Sequence, residues 1–347
     1  MRNIIKKIKY VWTVFKWFVW YNLMNGEAKK VWHLFKSLAK HAIFKTPYAA
    51  IIETSNTCNF RCPTCPTPHK LIHARRPPAM MDLEKFKKII DNIKNYVHIA
   101  YLYNSNEPLL HPDIVEMIKY ASQNNLHTMI STNCLLLDEK KTEELLISGL
   151  GEARVALDGL KKESYEGFRG GGNFETVKKN IEYLCRRKAE LRIKRPIITL
   201  QFILNKLNQD EIPAIKEFAA KNKIDKLYIK PFILSEYAYG NAEIKELGEK
   251  FLADKDIYDD AIVYKKEGGD LKPKKIYEKC PDVNRVFTVL ADGRAVMCCF
   301  DLLGDYVYGE LDEMGLKDLW FSKKARDIRT AAYKRKFPLC KVCGNIE

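Results

Sequence analysis

Near the start of the chain, three cysteines are spaced closely enough to hold one metal centre: Cys58, Cys62 and Cys65. Three thiolates within eight residues can wrap one iron–sulfur cubane, although an ordinary [4Fe–4S] centre takes four. Three protein ligands leave one iron open, and a catalytic metal centre needs such an open position. Zinc is the alternative, with His69 or His73 as a further ligand.

A second group of four cysteines lies in the last fifth of the chain. Asp292-Gly293 predicts the turn of a β-hairpin, which brings the first two members together, and the terminal pair folds back onto them. Four thiolates make a closed site, suited to electron transfer or to structure, and a structural zinc knot is the alternative. On a strand, the side chain of Cys299 would point the opposite way from that of Cys298. We therefore expect Cys299 to be a bystander that is not a ligand of the cluster. The four cysteines are Cys280, Cys298, Cys340 and Cys343.

The elements that must position these cysteines follow from alternating strand and helix patterns. Six apolar runs of strand length are separated by helix patterns that begin with capping residues such as Asp82, Asp138 and Asn173. Six β–α units in series predict a parallel α/β sheet with outer helices, either an open doubly wound sheet or part of a barrel. In both, the chemistry lies at the carboxyl ends of the strands. The runs are 48–54, 98–103, 126–132, 152–158, 197–204 and 224–230.

The composition indicates metal binding in a reducing compartment. Ten cysteines in 347 residues are too dilute for a disulfide scaffold, and their clustering is typical of metal ligands in a cytoplasmic protein. No run approaches the roughly 18 apolar residues of a membrane-spanning helix, and the first residues lack the pattern of a cleavable signal. We therefore expect a cytoplasmic protein.

The first 45 residues are unusually basic and aromatic. They contain ten of the 59 Lys and Arg residues, one of the 44 acidic residues and four of the five Trp. Apolar residues recur there at helical spacing, which predicts a helical hairpin lying in the interface of an anionic membrane, on the inner face. The alternative is that the apolar stripe packs on the body of the protein or on another copy. We expect no nucleic-acid partner, because the basic excess accompanies apolar faces. The stripe comprises Val31, Leu34, Phe35, Leu38 and Ala42.

A Cys-x3-Cys-x2-Cys loop after the first strand of a six-fold β–α chain resembles the radical S-adenosylmethionine (SAM) superfamily. Motifs at three further strand ends agree with this resemblance, which covers about residues 48–347 and implies a partial (β/α)6 barrel. The C-terminal cysteines resemble the SPASM, or twitch, domain, which holds an auxiliary [4Fe–4S] cluster. The motifs are Asn104-Ser-Asn-Glu107-Pro108, Ser131-Thr132-Asn133 and Ala156-Leu-Asp158-Gly159, the last leading to Phe168-Arg169-Gly170.

The resemblance also implies ligands and a reaction. The cysteine loop holds a [4Fe–4S] cluster whose open iron binds SAM, and an electron from a flavodoxin- or ferredoxin-type reductant splits SAM to a 5′-deoxyadenosyl radical. This radical abstracts hydrogen from the substrate, and the auxiliary cluster held by the four C-terminal cysteines accepts an electron. The implied SAM contacts are Glu107, Ser131, Asn133 and Arg169.

The chain departs from the family pattern at two places. Ser105 and Asn106 replace the glycines that precede the motif glutamate, and Thr64 occupies a position that is often aromatic in the family. Neither departure removes a ligand, so we expect SAM binding to survive. Cys134 follows the third strand and is expected to be a buried small side chain, with a hydrogen-atom donor as the alternative. Gln201 and Lys230 are expected to point inward, toward substrate.

These observations predict four segments and leave the substrate open. Residues 1–46 form the basic hairpin, 47–232 the barrel, 233–279 a connector and 280–347 the auxiliary-cluster domain. The membrane interpretation favours oxidation of a sugar, cyclitol or lipid-linked substrate. A ribosomal peptide is the main alternative substrate, and a membrane-surface metal-binding scaffold or electron carrier is the non-enzymatic alternative.

Overall fold

The fold is described from a computed structural model of the chain. The predictions for residues 1–18, Thr64 and His69 fall outside the described residues. The structure describes residues 19–24, 26–63, 65, 67, 71–233, 241–253, 264–267, 270–274, 278–311 and 314–343.

Six parallel strands form the centre of the molecule. They pair side by side in chain order, each parallel to the next, and each falls within one of the six apolar runs of the sequence. The predicted α/β fold with a parallel sheet is therefore confirmed. The strands are β1 (Ala49–Ile52), β2 (Ile99–Tyr101), β3 (His127–Thr132), β4 (Glu152–Ala156), β5 (Ile197–Ile203) and β6 (Lys226–Lys230).

Helices connect the strands, and three of them begin at the predicted caps. The side chains of Asp82, Asp138 and Asn173 each accept a hydrogen bond from a backbone N–H three residues later, which satisfies a donor that the first helical turn leaves free. The helices of this region are α1 (Tyr21–Met24), α2 (Ala28–Phe44), α3 (Leu71–Arg75), α4 (Leu83–Ile93), α5 (Ile114–Gln123), α6 (Glu139–Leu146), α7 (Lys162–Phe168), α8 (Phe174–Glu190) and α9 (Ile212–Lys221).

The two faces of the sheet differ in polarity. Side chains on one face, such as Ala100, Ile130, Val155 and Leu200, are fully buried in the main apolar core. Because successive strand residues point to opposite faces, their neighbours lie on the other, concave face. That face is polar; its residues include Tyr101, Ser131, Arg154, Gln201 and Lys230.

The C-terminal part extends the same sheet. Strand β9 pairs in parallel with β1, and β10 and β11 continue the sheet as antiparallel strands. The hairpin predicted at Asp292-Gly293 is confirmed, and Gly293 supplies the left-handed backbone at φ +96° that this turn requires. The remaining elements are α10 (Asn241–Phe251), β7 (Tyr264–Glu267), β8 (Asp270–Pro273), β9 (Val286–Val289), β10 (Arg294–Val296), β11 (Val307–Glu310), α11 (Leu316–Phe321), α12 (Lys323–Tyr333) and α13 (Pro338–Val342).

Helix α2 covers the amino ends of the strands, at the end of the barrel opposite the expected chemistry. His33 Nε2 lies 2.7 Å from the carbonyl oxygen of Val97, and Ser37 Oγ donates to the carbonyl of Tyr96 at 2.5 Å. The predicted apolar stripe divides in two. Val31 and Leu34 are buried against the barrel, whereas Phe35 and Leu38 are 53% and 38% exposed and Ala42 is also exposed. Among the described helices, none is long and apolar enough to span a membrane.

Candidate functional site

The three-cysteine loop follows β1 directly and is partly enclosed. Cys62 is buried and Cys58 and Cys65 are half-buried, and the Cys65 N–H donates to the Cys62 carbonyl at 3.1 Å. Burial, together with the nearby charges of Glu107, Cys65 and Cys62, raises the pKa of the Cys58 thiol to about 12. Metal binding at this loop would therefore release the proton of Cys58.

Polar donors surround the sulfur atoms. The Arg169 guanidinium lies 3.7 Å from Cys62 Sγ, and the Asn133 amide lies 4.0 Å from Cys58 Sγ. Donors beside sulfur ligands tune the potential of an iron–sulfur cluster, so the loop and its neighbours fit a three-cysteine [4Fe–4S] cluster. His73 is a candidate ligand in the zinc alternative. Its Nε2 atom lies 2.8 Å from the carbonyl oxygen of Asn56. Within the described residues, no three Cys, His, Asp or Glu side chains are gathered as ligands of a single ion.

Glu107 is the buried carboxylate of the site. The backbone N–H of Asn133 donates to its Oε2 at 2.7 Å, and the N–H of Leu109 donates to its Oε1 at 3.0 Å. Burial raises the pKa of this carboxyl to about 6, although these hydrogen bonds lower it. Each oxygen keeps acceptor capacity for a further donor, which fits the amino group of SAM.

Asn133 joins this carboxylate to the cysteine loop. Its backbone donates to Glu107, and its side-chain amide donates to Asn59 Oδ1 at 2.7 Å, beside Cys58. Arg169 reaches the loop from the other side, because its Nε donates to Asp158 Oδ2 at 2.5 Å while a second nitrogen faces Cys62. The structure thus brings together Glu107, Asn133 and Arg169 around the cysteines.

Ser131 lies one strand position before this group. It is half-buried on the concave face, in register with Arg154 of β4. Its role as a SAM contact stays a prediction.

The two departures from the family pattern take part in hydrogen bonds. The Ser105 hydroxyl donates to Glu53, and the Asn106 amide donates to Thr54 Oγ1 at 3.0 Å. Both partners follow β1, so the side chains that replace glycine hold the ends of β1 and β2 together.

Cys134 has a left-handed backbone (φ +65°) and no exposed surface. Its sulfur lies 3.6 Å from the carbonyl oxygen of Thr132, and burial raises the pKa of its thiol. This placement favours the expectation of a buried small side chain over that of a hydrogen-atom donor.

The glycine run Gly170-Gly171-Gly172 is a structural partner of the cysteine loop that sequence reasoning missed. The Arg61 N–H donates to the Gly170 carbonyl at 2.6 Å, and a Cβ on Gly170 would lie 2.6 Å from the Arg61 carbonyl oxygen. A Cβ on Gly172 would lie 2.9 Å from the Tyr165 ring. The run lets the backbone of the cysteine loop approach closely. The sequence signal for this contact was three consecutive glycines directly after Arg169.

The four C-terminal cysteines gather around a small separate core. Cys340 is buried in this core with Val283, Met297 and Leu339, and Cys280 and Cys298 pack against it. Arg335 donates to the Cys343 carbonyl at 2.9 Å, which holds the terminal turn. Cys280, Cys298 and Cys340 meet at this core, and Cys343 lies three residues beyond Cys340; these four thiols fit a fully ligated cluster.

Cys299 lies in a turn after β10, which ends at Val296. Strand alternation therefore does not set the direction of its side chain. Burial raises the pKa of its thiol to about 12, and the charges of Cys343 and Cys280 raise it further, so it lies near this group. Its role as a bystander stays a prediction.

Comparison with known proteins agrees with this geometry. Residues 52–219 match the Radical SAM superfamily, and residues 280–344 match SPASM, an iron–sulfur cluster-binding domain. The chain is 22% identical to a tungsten-containing aldehyde ferredoxin oxidoreductase cofactor-modifying protein of Pyrococcus furiosus, over 84% of this chain and 86% of that protein. It is 23% identical to a PqqA peptide cyclase of Bradyrhizobium diazoefficiens, over 54% and 47%. The chain spans about half or less of the length of six further curated relatives.

Solved structures share the fold. SuiB of Streptococcus suis bound to the precursor peptide SuiA superposes with a TM-score of 0.59 at 16% identity, covering 93% of this chain and 76% of that one. BtrN in complex with AdoMet and 2-DOIA superposes with a TM-score of 0.53 at 17% identity, covering 86% and 94%. The chain belongs to the radical SAM superfamily and carries a C-terminal SPASM domain. It is thus an enzyme of the class that uses a [4Fe–4S] cluster and SAM, with an auxiliary iron–sulfur cluster.

The pH dependence of SAM binding tests the role of Glu107. The amino group of SAM donates to the carboxylate form, so SAM affinity should be full well above pH 6 and fall as the pH drops through about 6, the raised pKa of this group. Glu107→Gln should bind SAM about 10- to 100-fold more weakly, the loss expected for a charged hydrogen bond. Calorimetric titration of the reconstituted protein at several pH values measures both. Exposed Glu163→Gln is the control, and an unchanged pH profile in Glu107→Gln would contradict the assignment.

The glycine run can be tested through iron content. Gly170→Ala places a methyl group against the Arg61 carbonyl, so it should displace the cysteine loop and lower the iron bound at that site. Gly315→Ala is the matched control, because its Cβ would meet neighbours only at ordinary contact distances of 3.7 and 3.8 Å. Iron analysis and electron paramagnetic resonance after reconstitution measure the difference. Equal iron in both variants would show that the close approach is not needed.

Proposed function

We propose that this radical SAM enzyme modifies a peptide substrate. The observation that carries the proposal is the polar concave face of the barrel: strand β1 of this sheet leads into the cysteine loop and also pairs with β9, the first SPASM strand. Support also comes from the relative named as a peptide cyclase and from the likeness in fold to a protein crystallised with its precursor peptide.

Each part of the site has a task in this proposal. When bound, the cluster and SAM supply a 5′-deoxyadenosyl radical that abstracts a hydrogen atom from carbon. Glu107 would hold the SAM amino group through its carboxylate, and Asn133 fixes Glu107 against the loop. Arg169, oriented by Asp158, places positive charge beside Cys62. The half-buried concave face aims the substrate carbon and limits the access of water.

The net reaction belongs to the same proposal. The four C-terminal cysteines would hold the cluster that accepts the electron left on the substrate after hydrogen abstraction, which makes the modification an oxidation. A flavodoxin- or ferredoxin-type protein would supply the reducing electron to the first cluster.

The position of α2 lowers the support for a lipid-linked sugar as substrate. Its exposed apolar residues lie at the amino ends of the strands, whereas Glu107, Asn133 and the cysteine loop lie at the carboxyl ends. A membrane bound through α2 would face away from the site. A peptide arriving from solution needs no such contact.

We further propose that α2 holds the enzyme at an anionic membrane surface. Trp32 is 72% exposed and Phe35 53% exposed, and Lys29 and Lys36 lie beside them on the same helix. Aromatic side chains at headgroup depth and lysines facing anionic lipid are typical of interfacial helices.

Cleavage of SAM tests whether the loop is catalytic. Protein purified and reconstituted without oxygen should hold about eight irons per chain and form 5′-deoxyadenosine with dithionite and SAM. Cys62→Ala should lose about four irons and all product, whereas Cys185→Ala, a buried cysteine of α8 outside both groups, should keep both. Chromatography with mass detection measures the product. Turnover by Cys62→Ala, or a colourless zinc protein, would overturn the assignment.

The substrate class can be tested with deuterium. The enzyme is given SAM and dithionite with the peptide, carbohydrate or lipid fraction of one perdeuterated culture. Because the radical takes hydrogen from substrate carbon, the peptide fraction should transfer deuterium into 5′-deoxyadenosine. Transfer only from the carbohydrate or lipid fraction would replace the peptide proposal with the sugar or lipid alternative.

Membrane binding is tested by two substitutions that keep α2 docked. Trp32→Ser with Phe35→Ser should lower binding to phosphatidylglycerol vesicles at least about tenfold, since full burial of each side chain contributes about 1.5 to 3 kcal/mol. The control is Ile147→Ser, which removes an apolar side chain that is 75% exposed elsewhere. Sedimentation with vesicles measures the bound fraction. Equal binding by the control and the double variant would remove the proposal.

A further inference from the structure

The concave face of the barrel carries more positive than negative charge. Arg154 Nε and Lys226 Nζ both contact the carboxylate of Glu152, at 3.1 and 3.2 Å. Arg169 is paired with Asp158. In the described part of the chain, no carboxylate lies within ion-pair distance of the Lys230 amino group. Lys230 thus adds a positive charge to a face on which Arg154, Lys226 and Arg169 already contact carboxylates.

Strand register places three donors of this face on a diagonal across β4, β5 and β6. On β5, Thr199 is opposite Arg154, Gln201 is two residues further along, and Ile203 is opposite Lys230. Because side chains two residues apart share a face, Gln201 lies between the levels of Arg154 and Lys230. Strands β4 and β6 flank β5 at about 4.8 Å each, so the two cations lie on either side of Gln201, Arg154 nearer the amino ends of the strands and Lys230 nearer the carboxyl ends.

The surroundings of these side chains raise the cost of an unpaired charge. Gln201 is 7% exposed, and Arg154 and Lys230 are half-buried. The Arg154 guanidinium also donates to the Tyr103 hydroxyl at 3.0 Å, which fixes its direction. Burial and then the positive charges of Arg154 and Arg169 lower the pKa of Lys230. Partly buried cations without a counter-charge are costly, and an anion at this position would offset that cost.

We infer that a carboxylate of the substrate binds over Gln201, between Arg154 and Lys230. A guanidinium presents a planar fork of donors to a carboxylate, Lys230 adds charge and the Gln201 amide adds a neutral donor. The inference rests on the proposed peptide function and narrows it to peptides that present an acidic side chain or a free carboxyl terminus to the barrel.

The test measures binding without turnover. Holoenzyme with SAM bound and no reductant is titrated by saturation-transfer nuclear magnetic resonance with four probes. N-acetylglutamate α-amide presents a side-chain carboxylate, N-acetylglutamine presents a terminal carboxylate, N-acetylglutaminamide is neutral, and inorganic phosphate competes as a non-peptide anion. At least one carboxylate should bind about tenfold more tightly than the neutral probe.

Variants locate that binding. Lys230→Met should weaken carboxylate binding by about tenfold, and Lys230→Arg should restore most of it because the charge returns. Arg154→Gln should weaken it by a similar factor. Exposed Lys221→Met, on α9, is the control and should bind as the natural protein does.

Several results would overturn the inference. These are equal binding of neutral and charged probes, no binding of either carboxylate, displacement of neither carboxylate by phosphate, and unchanged binding in Lys230→Met. A loss of SAM affinity in Lys230→Met with intact carboxylate binding would assign the lysine to SAM instead. If SAM is cleaved but no carboxylate binds, this inference fails and the proposed function stands. If carboxylates bind but no 5′-deoxyadenosine forms, the proposed function fails.

Discussion

A single buried carboxylate holds the site together. Glu107 accepts hydrogen bonds from the backbone of Leu109 and Asn133, while its own N–H donates to the Thr57 carbonyl at 2.9 Å. It therefore connects the segments that follow β1, β2 and β3. A carboxylate buried without these partners would be protonated or displaced, so the same hydrogen bonds that build the site keep it available for a cation.

A second buried acid connects the barrel to the SPASM domain. Glu53 forms an ion pair with Arg76 and accepts hydrogen bonds from Ser105 and from the backbone N–H of Ala291, the last at 2.9 Å. Arg76 also donates to the Leu302 carbonyl at 2.7 Å. Removing one member would leave a buried charge uncompensated, which is strongly destabilising. The two cysteine groups are thus held in a fixed relation by polar contacts as well as by the shared sheet.

The two ends of the barrel have separate tasks. At the amino ends of the strands, α2 contributes Val31 and Leu34 to packing and leaves Trp32 and Phe35 exposed. At the carboxyl ends lie the cysteines, Glu107 and the cationic concave face. In our proposals, α2 determines where the enzyme is located, and the charges inside the barrel determine which substrate it binds.

Much of this protein could be predicted from local sequence. The six strands, their capped helices, the hairpin at Asp292-Gly293 and the three-cysteine loop follow from short-range spacing and propensity, because each depends on residues close in the chain. Other features depend on residues far apart in the chain. The contact of Gly170 with Arg61, the pairing of Glu53 with Arg76 and the diagonal formed by Arg154, Gln201 and Lys230 arise only when separate strands and loops pack together. Burial, register and unpaired charge are properties of that packing, and for this reason only the tertiary structure could reveal them.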